Sequence, residues 1–311
     1  MKTQDLSPVS RSVARMGRSL LFLGIAAIFV ACGSGNREMP TRAAGYQQAC
    51  DNDHAESCND LGMMHKAGIE VGTDVVLAAT LFQKACDLGA ISGCFNLGVM
   101  YKDGVGVPLD VERATTLFKA VCDAGGGSGC TTLGIMHFYG EGVVQDIGLA
   151  SSFLHRACDA GESHGCHVLG VLYDRGEGVA ENDSVAASMF AKACDGGEAE
   201  SCGFLGEMYF YGEGVPQDLV RAATLQQRGC DAGLGFSCFD LALMYTNGAG
   251  VQQDDASAAS FHQKACEYGE PRGCYSLGTM YSFGIGISQD SGRAALLLKR
   301  ACDGGIAEAC R

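Results

Sequence analysis

Sixteen of the 17 cysteines form eight evenly spaced pairs, and this spacing is the strongest constraint on the fold. Seven residues separate the two members of a pair, and each pair follows the previous one by 36 residues. The pairs are Cys50 with Cys58, Cys86 with Cys94, Cys122 with Cys130, Cys158 with Cys166, Cys194 with Cys202, Cys230 with Cys238, Cys266 with Cys274 and Cys302 with Cys310. A constant period of this length is typical of repeat proteins, in which each repeat is one supersecondary unit.

The beginning of the chain predicts export. Residues 1–18 carry four basic residues and one acidic residue, and residues 19–31 are apolar. A basic segment, a short apolar core and a small residue before the cleavage point are typical of a signal peptide, here residues 1–31. The apolar run is too short to span a membrane comfortably. Phe29-Val30-Ala31-Cys32 resembles a bacterial lipobox, so we predict lipidation of Cys32, with residues 32–40 as a linker to the membrane; an ordinary cleaved signal is the alternative.

In an exported chain, dense and regular cysteine pairs indicate disulfide bonds. Structural zinc is the alternative, but its cysteine ligands are usually two to four residues apart, and no histidine recurs with the 36-residue period. On one straight helix, residues i and i+8 lie about 12 Å apart, whereas a disulfide needs Cα atoms within about 7 Å. The chain must therefore reverse direction between the two cysteines of each pair. We predict eight disulfides, each joining the end of one helix to the start of the next.

The 36-residue unit predicts two helices. A motif L-G-x-M-Y follows the second cysteine and has helical spacing of apolar residues; we name this segment helix A. It runs into a G-x-G-V stretch, and glycine just past the last periodic residue indicates a helix end. An Asp or Asn three residues after the valine is a favoured N-cap, and it opens helix B, which contains a recurring alanine and ends in Ala-Cys. Because G-x-G-V lacks the lysine of a P-loop and follows a helix, we interpret it as a turn between helices.

These features predict an all-α fold, a right-handed α-solenoid of αα-hairpin repeats with a 36-residue period and disulfide links. Each helix pair has an apolar face that only its neighbours can cover. We predict a solenoid over residues 41–311, made of an N-terminal half-repeat at 41–50, seven full repeats at about 51–302 and a truncated end at 303–311.

The net charge limits the partners. It is −14 for the whole chain, and the loss of four basic residues and one acidic residue with residues 1–31 makes it −17. Such a chain does not bind nucleic acid or anionic lipid through its charge. We therefore predict a body that is held at a membrane only by its lipid anchor, either as a bacterial cell-envelope lipoprotein or, without the anchor, as a secreted protein.

The repeat pattern resembles Sel1-like repeats, which are relatives of the tetratricopeptide repeat. Within them it is similar to the cysteine-rich subgroup typified by the Helicobacter cysteine-rich proteins. The resemblance rests on L-G-x-M-Y, on G-x-G-V-x-x-D and on A-C-D-x-G-x-x-x-x-C, and it covers residues 41–311. It implies an interaction scaffold. It also implies an alternative, because members of the subgroup have been described as penicillin-binding or weakly β-lactamase-like.

The sequence provides no catalytic residues for that alternative. The serine β-lactamase motifs S-x-x-K, S-D-N and K-T-G are absent, so we predict no catalytic residue and no cofactor. The weak candidates for a metal site are His164 and His167, which bracket Cys166 close to Glu162 and Asp174. The alternative for these two histidines is a solvated pair at a helix start.

By analogy with tetratricopeptide arrays, helix A lines the concave face. Its inward positions should be two before the second cysteine of each pair and one, five and eight after it. They vary between repeats, as ligand-facing positions can, and aromatics gather toward the C-terminus. We predict that a protein or peptide partner binds there, through Phe95, Phe138, Phe210, Phe236, Phe239, Arg272 and Tyr275. The alternative is that some of these phenylalanines are buried between helices.

Overall fold

A computed structural model describes residues 41–310, and the regular secondary structure in that range is entirely helical. The predicted signal peptide, Cys32 and the linker at 32–40 lie outside the described residues. The helices are α1 Arg42–Asp51, α2 Ala55–Ala67, α3 Val75–Asp87, α4 Ile91–Asp103, α5 Val111–Asp123, α6 Gly127–Tyr139, α7 Ile147–Asp159, α8 Ser163–Arg175, α9 Asp183–Asp195, α10 Ala199–Tyr211, α11 Leu219–Asp231, α12 Gly235–Asn247, α13 Asp255–Glu267, α14 Pro271–Phe283, α15 Ser291–Asp303 and a 3₁₀ helix Ala307–Cys310.

Each helix packs against the next one along the chain, which confirms the predicted all-α solenoid. The even-numbered helices α2 to α14 are the A helices, and each forms a hairpin with the B helix that follows it. Neighbouring A helices also touch one another, as α2/α4, α6/α8 and α12/α14 do, which is the packing expected if the A helices line the inner side of a curved array. Among residues 41–310, no helix has the length and apolarity needed to cross a membrane.

The predicted helix boundaries are confirmed. Asp110 precedes helix α5, and its side chain accepts a hydrogen bond from the backbone N–H of Arg113 at 2.9 Å, as an N-cap does. Helix α4 ends at Gly104, which has a left-handed backbone with φ of +67°. The second glycine of the turn, Gly106, also has positive φ, and a Cβ there would overlap with the carbonyl oxygen of Val75. G-x-G-V is thus a turn that packs on the preceding hairpin.

The glycine of L-G-x-M-Y is required by packing inside the hairpin. A Cβ at Gly98 would lie 2.7 Å from the ring of Phe118, a buried helix B side chain. The same contact recurs along the array, as Gly62 on Phe82, Gly134 on Leu154, Gly170 on Phe190 and Gly278 on Leu298. Two hairpins differ: Gln226 replaces the apolar residue opposite Gly206, and in the next one His262 and Ala242 occupy the two positions.

Eight disulfides join the repeats at the turns from helix B to the next helix A. Each of the predicted pairs is bonded in the structure: Cys50 with Cys58, Cys86 with Cys94, Cys122 with Cys130, Cys158 with Cys166, Cys194 with Cys202, Cys230 with Cys238, Cys266 with Cys274 and Cys302 with Cys310. Their Cα–Cα distances run from 4.5 Å in the second pair to 5.0 Å in the last, which links α15 to the 3₁₀ helix. Closing a loop of this size stabilises a chain by about 2.6 kcal/mol in the chain-entropy model. The disulfides therefore fix how each hairpin meets the next.

The cysteines are structural rather than reactive. Cys58 lies in α2 and Cys130 lies in α6. Both are fully buried and belong to the apolar clusters of their hairpins. A bonded sulfur that is shielded in this way is no thiolate nucleophile. Among the residues at 41–310, every cysteine is bonded, so none of them carries a free thiol.

A basic side chain of helix B, not recognised in the sequence, makes a second link between repeats. Arg156 donates a hydrogen bond to the backbone carbonyl of Cys122 at 3.1 Å and pairs with Asp123 at 2.9 Å. Arg228 binds the carbonyl of Cys194 at 2.8 Å in the same way. The positive charge also interacts favourably with the negative partial charge at the C-terminal end of the previous B helix.

The contact between Gly98 and Phe118 can be tested by a double-mutant cycle. We expect Gly98→Ala to destabilise the protein, since overpacking costs about 1–3 kcal/mol and exceeds the gain of about 1 kcal/mol in helix propensity. Adding Phe118→His places alanine opposite histidine, the combination that Ala242 and His262 have at the same positions of a later hairpin. The loss of stability in the double variant should therefore be about 1 kcal/mol smaller than the sum of the two single losses. Urea unfolding of the wild type, the two single variants and the double variant measures this coupling. Strictly additive effects would show that the glycine is not needed to accommodate the phenylalanine ring.

Candidate functional site

A cavity of about 230 Å³ opens on the A-helix face near the C-terminal end of the array. It lies between three consecutive A helices, α10, α12 and α14, and reaches down to the B helix α11. The lining residues are Glu207, Phe210, Tyr211, Gln226, Asp240, Leu243, Met244, Asn247, Ala249 and Arg272. Apolar walls with a few converging polar groups are the usual composition of a ligand site.

Two carboxyl groups meet in this cavity. Glu207 is five residues after Cys202 and Asp240 is two residues after Cys238, so stacking of the repeats places them on facing turns of α10 and α12. Burial, and secondly the charge of Glu207, raises the pKa of Asp240 to about 7. Burial also raises the pKa of Glu207, against the lowering effect of its hydrogen bond with Asp240. A hydrogen bond between two carboxyl groups needs a proton on one of them, and the raised pKa of Asp240 places that proton on the pair in mildly acidic solution.

Arg272 stands beside the carboxyl pair, but its charge is already paired. Its Nε and Nη2 donate hydrogen bonds to the two carboxylate oxygens of Glu270 at 2.8 and 3.1 Å. The guanidinium also lies over the ring of Phe239, 4.5 Å from the centroid. The ion pair with Glu270 holds Arg272 at the rim, and within residues 41–310 neither Glu207 nor Asp240 has a salt-bridge partner.

Gln226 brings a buried polar group to the floor of the cavity. The residue is only 2% exposed and lies where other hairpins carry a phenylalanine or leucine. Its Nε2 donates to the carbonyl of Gly203 at 3.1 Å, and this fixes the side-chain orientation, since a carbonyl only accepts. Its Oε1 is buried and has no hydrogen-bond partner among the described residues.

The predicted binding residues fall into two groups. Phe210 and Arg272 line the cavity, and Phe239 lies under Arg272 at its edge. Phe236, one turn before Phe239, packs over the backbone of Gly203 and 6.1 Å from the ring of Phe204. These four side chains thus form one region of the A-helix face.

The other predicted residues lie elsewhere. Phe95 contacts Phe118, Phe138 lies edge-on to Tyr139, and Tyr275 packs beside the disulfide of Cys266 and Cys274. All seven predicted side chains except that of Arg272 are half-buried, because helix packing covers part of each ring. The more exposed aromatic next to the cavity is Tyr211, at 66%.

The two candidate metal ligands have different environments. His164 is exposed and lies 3.7 Å from Glu198, whereas His167 is 8% exposed and shares a 2.8 Å hydrogen bond with Ser201. The interpretation as a solvated pair is therefore wrong for His167, because it packs among Phe190 and Phe204. Residues 41–310 contain no group of three or more His, Cys, Asp or Glu side chains arranged to hold a metal ion.

The cavity lining lacks the nucleophile of a serine β-lactamase. Its lining offers carboxyl, amide, phenol and guanidinium groups, and no serine, cysteine, lysine or histidine is among those ten residues. A covalent acyl intermediate of the serine β-lactamase type needs such a nucleophile. The cavity instead presents three acceptor groups, on Glu207, Asp240 and Gln226, between aromatic and aliphatic walls.

Helical spacing in the sequence identified Glu207, Phe210 and Arg272 as inward positions but missed Asp240, Gln226, Tyr211 and Leu243. Asp240 lies one residue from the predicted register, on the side of α12 that turns toward α10. A signal for Gln226 was present: it interrupts a helix B position that is Phe82, Phe118, Leu154 and Phe190 in the preceding repeats. A single polar residue in an apolar period is a reason to look for a site.

The described residues form an α-solenoid of disulfide-linked helix hairpins, a class of repeat protein whose exposed helix face serves for interaction. A family model for the Sel1 repeat matches seven segments, residues 55–89, 91–126, 128–162, 163–198, 199–234, 235–269 and 271–306. The chain belongs to the Sel1 repeat family, and the resemblance seen in its motifs is confirmed.

Solved structures agree with this assignment. The crystal structure of c5321, a protective antigen of uropathogenic Escherichia coli, is 28% identical, with a TM-score of 0.76 over 85% of this chain and 57% of that one. This chain thus spans little more than half of that antigen. A Sel1 repeat protein from Oxalobacter formigenes is 24% identical, with a TM-score of 0.68 over 86% of this chain and 78% of that one.

Helicobacter pylori cysteine rich protein B is 24% identical over 42% of this chain and 93% of that one, with a TM-score of 0.35. No curated protein matches the chain.

The raised pKa of Asp240 predicts a pH-dependent stability. An aspartate whose pKa is near 4 when unfolded and about 7 when folded makes the folded state less stable as pH rises from 4 to 7. We expect Asp240→Asn to be more stable than the wild type at pH 8 by about 1 kcal/mol, with a smaller difference at pH 5. Denaturant unfolding of both proteins at each pH measures this.

The comparison must be between proteins at one pH, because burial lowers the pKa of His262 to about 4 and so destabilises the folded state as pH falls below 6.5. Glu141→Gln, at an exposed position in the turn after α6 where the acid makes no ion pair with the described residues, is the control. A stability difference between Asp240→Asn and the wild type that is the same at pH 5 and pH 8 would contradict the raised pKa.

Proposed function

We propose that this protein is an exported, lipid-anchored scaffold that binds a protein or peptide partner on its A-helix face, around the cavity between α10, α12 and α14. The observation that carries the proposal is the cavity itself: half-buried aromatics, an exposed tyrosine and a pair of carboxyl groups lie together on one face of a rigid array. Sel1 repeat proteins are typically protein-interaction scaffolds.

Rigidity supports a binding role for this face. Disulfides at every turn from helix B to helix A fix the angle between consecutive hairpins, so the side chains of α10, α12 and α14 are held in place before a partner arrives. Preorganisation lowers the entropic cost of binding. Aromatic residues at the centre of such a surface are the ones that most often dominate binding energy.

The cysteines support the location. Eight disulfides are stable only outside a reducing compartment, which favours a periplasmic or extracellular environment. A mature charge of −17 repels an anionic membrane surface. The protein would then stay at a membrane only through the lipid that we propose on Cys32.

Partner binding is tested by photo-cross-linking from two matched tyrosines. Tyr211 and Tyr139 both end an A helix, both are 66% exposed, and each lies edge-on to the preceding phenylalanine. We expect a benzoylphenylalanine at position 211 to cross-link a discrete partner in the cell envelope and one at position 139 to give none, because only Tyr211 borders the cavity.

A Leu243→Ser variant of the position-211 protein provides a second measurement. Leu243 lines the cavity and is 38% exposed, so its loss should reduce the cross-link yield about fivefold or more while leaving the thermal unfolding midpoint within about 2 °C. Equal cross-linking from positions 139 and 211, or none from position 211, would overturn the proposed site.

Anchoring is tested separately by Cys32→Ser. Lipid chains supply about 0.8 kcal/mol of membrane affinity for each buried methylene, so we expect the wild type in the membrane fraction and the variant in the soluble fraction. The mass of the N-terminal peptide should show lipid on Cys32 of the wild type only. A variant that remains with the membrane after a carbonate wash would refute the anchor.

A further inference from the structure

We infer that the cavity between α10, α12 and α14 is a pocket for a primary ammonium group on an apolar stem, namely a lysine side chain of the bound partner. This inference rests on the proposed scaffold function and names the chemistry by which the partner is recognised. Three residues with acceptor groups point to it: Glu207, Asp240 and Gln226 all line one cavity, and the amide oxygen of Gln226 is buried without a hydrogen-bond partner among the described residues.

The unpartnered oxygen of Gln226 is the observation that distinguishes a site from a cluster of acids. Burying a polar atom without a hydrogen bond costs about 1–3 kcal/mol, and the same position is Phe190 in the preceding repeat and Leu298 in the last one. Gln226 Nε2 is held by Gly203, so Oε1 cannot rotate to another partner without breaking that bond. A donor on a ligand that enters the cavity would satisfy it.

The number and type of acceptors match an ammonium group. A lysine ammonium carries three donors and no acceptor, and the cavity offers two carboxyl groups and one carbonyl oxygen. Phe210, Leu243 and Met244 form apolar walls for the four-carbon stem, and Tyr211 adds a second aromatic ring to the lining. A divalent metal ion would make no use of these apolar walls.

The charges around the pocket favour a cation. Glu270, Glu213 and Asp174 add negative potential to that of Glu207 and Asp240, and Arg272 is the one positive group acting on the pair. Arg272 donates two hydrogen bonds to Glu270 and its charge also lowers the pKa values of Glu207 and Asp240, so it offsets part of this negative potential. An entering ammonium group would displace the shared proton of Glu207 and Asp240, so binding should strengthen as pH rises.

The test compares N-acetyl-L-lysine methylamide with N-acetyl-L-norleucine methylamide, which has the same stem and no ammonium group. Both are titrated into the purified, oxidised protein and followed by NMR. We expect the lysine probe to bind with a dissociation constant on the order of 1 mM at pH 8, at least tenfold tighter than norleucine and severalfold tighter than at pH 6. Equal binding of the two probes, or tighter binding at pH 6, would overturn the inference.

Three variants locate the probe. Glu207→Gln, Asp240→Asn and Gln226→Leu should each weaken lysine binding at least tenfold, while Glu200→Gln, an exposed acid on α10 outside the cavity, should leave it unchanged. Gln226→Leu should also raise the melting temperature, because it removes the unpartnered oxygen and restores the apolar side chain that Leu154 supplies elsewhere, so lost binding cannot be unfolding. Unchanged lysine affinity in Gln226→Leu would overturn the inference.

Calcium chloride is the competing arm of the experiment. If calcium ions bind the carboxyl pair and the lysine probe does not, the pocket is a metal site and the inference is wrong. If Tyr211 cross-links a partner and the lysine probe fails to bind, the scaffold function stands and only the ammonium pocket falls.

Discussion

The contact between a helix B side chain and the glycine of the facing helix A sets the distance at which the two helices pack in six of the seven hairpins. With Phe118 against Gly98, no atom can be added to the glycine without moving the ring. Because a hairpin buries its remaining apolar surface only against its neighbours, a fixed hairpin thickness makes the hairpins stack with a constant step. Along the array, the aromatic and apolar clusters repeat with this step.

The disulfides add a constraint of a different kind. They act at the turn from helix B to the next helix A, where a solenoid has few contacts that are distant in sequence, and they limit the unfolded chain rather than add contacts. The energetic consequence is local: each disulfide stabilises the junction it closes. A polar group in one repeat therefore costs stability mainly there, and its neighbours hold the flanking helices in place. This is the condition under which Gln226 and His262, in consecutive repeats, are tolerated at core positions.

The periodic part of the molecule could be predicted from the sequence, and the site could be predicted only in part, for a physical reason. The spacing of Cys122 and Cys130 occurs in all eight pairs. Because a disulfide at this spacing requires the chain to reverse direction, the same reasoning predicts every turn from helix B to helix A. Glu207 and Arg272 were found because helical spacing places them on the A face. Asp240 was missed because the register of α12 against α10 decides which of two adjacent positions turns inward, and that register is a property of packing. The half-burial of Phe236 likewise depends on neighbours, as its contact with Gly203 shows.

Gln226 in the fifth repeat and His262 in the sixth differ in whether the facing residue has changed with them. This difference distinguishes a polar residue explained by packing from one explained by a ligand. His262 occupies the position across from Ala242, the one alanine at the glycine position, so a smaller ring is accompanied by a larger neighbour, and one ring nitrogen is buried without a hydrogen-bond partner among the described residues. Gln226 faces Gly206, the same residue that accepts phenylalanine elsewhere, so nothing in its hairpin compensates for the loss of apolar volume. An uncompensated polar residue that also lines a cavity and faces two carboxyl groups is better explained by a ligand than by packing. A repeat protein can carry such a residue because six other hairpins maintain the array around it.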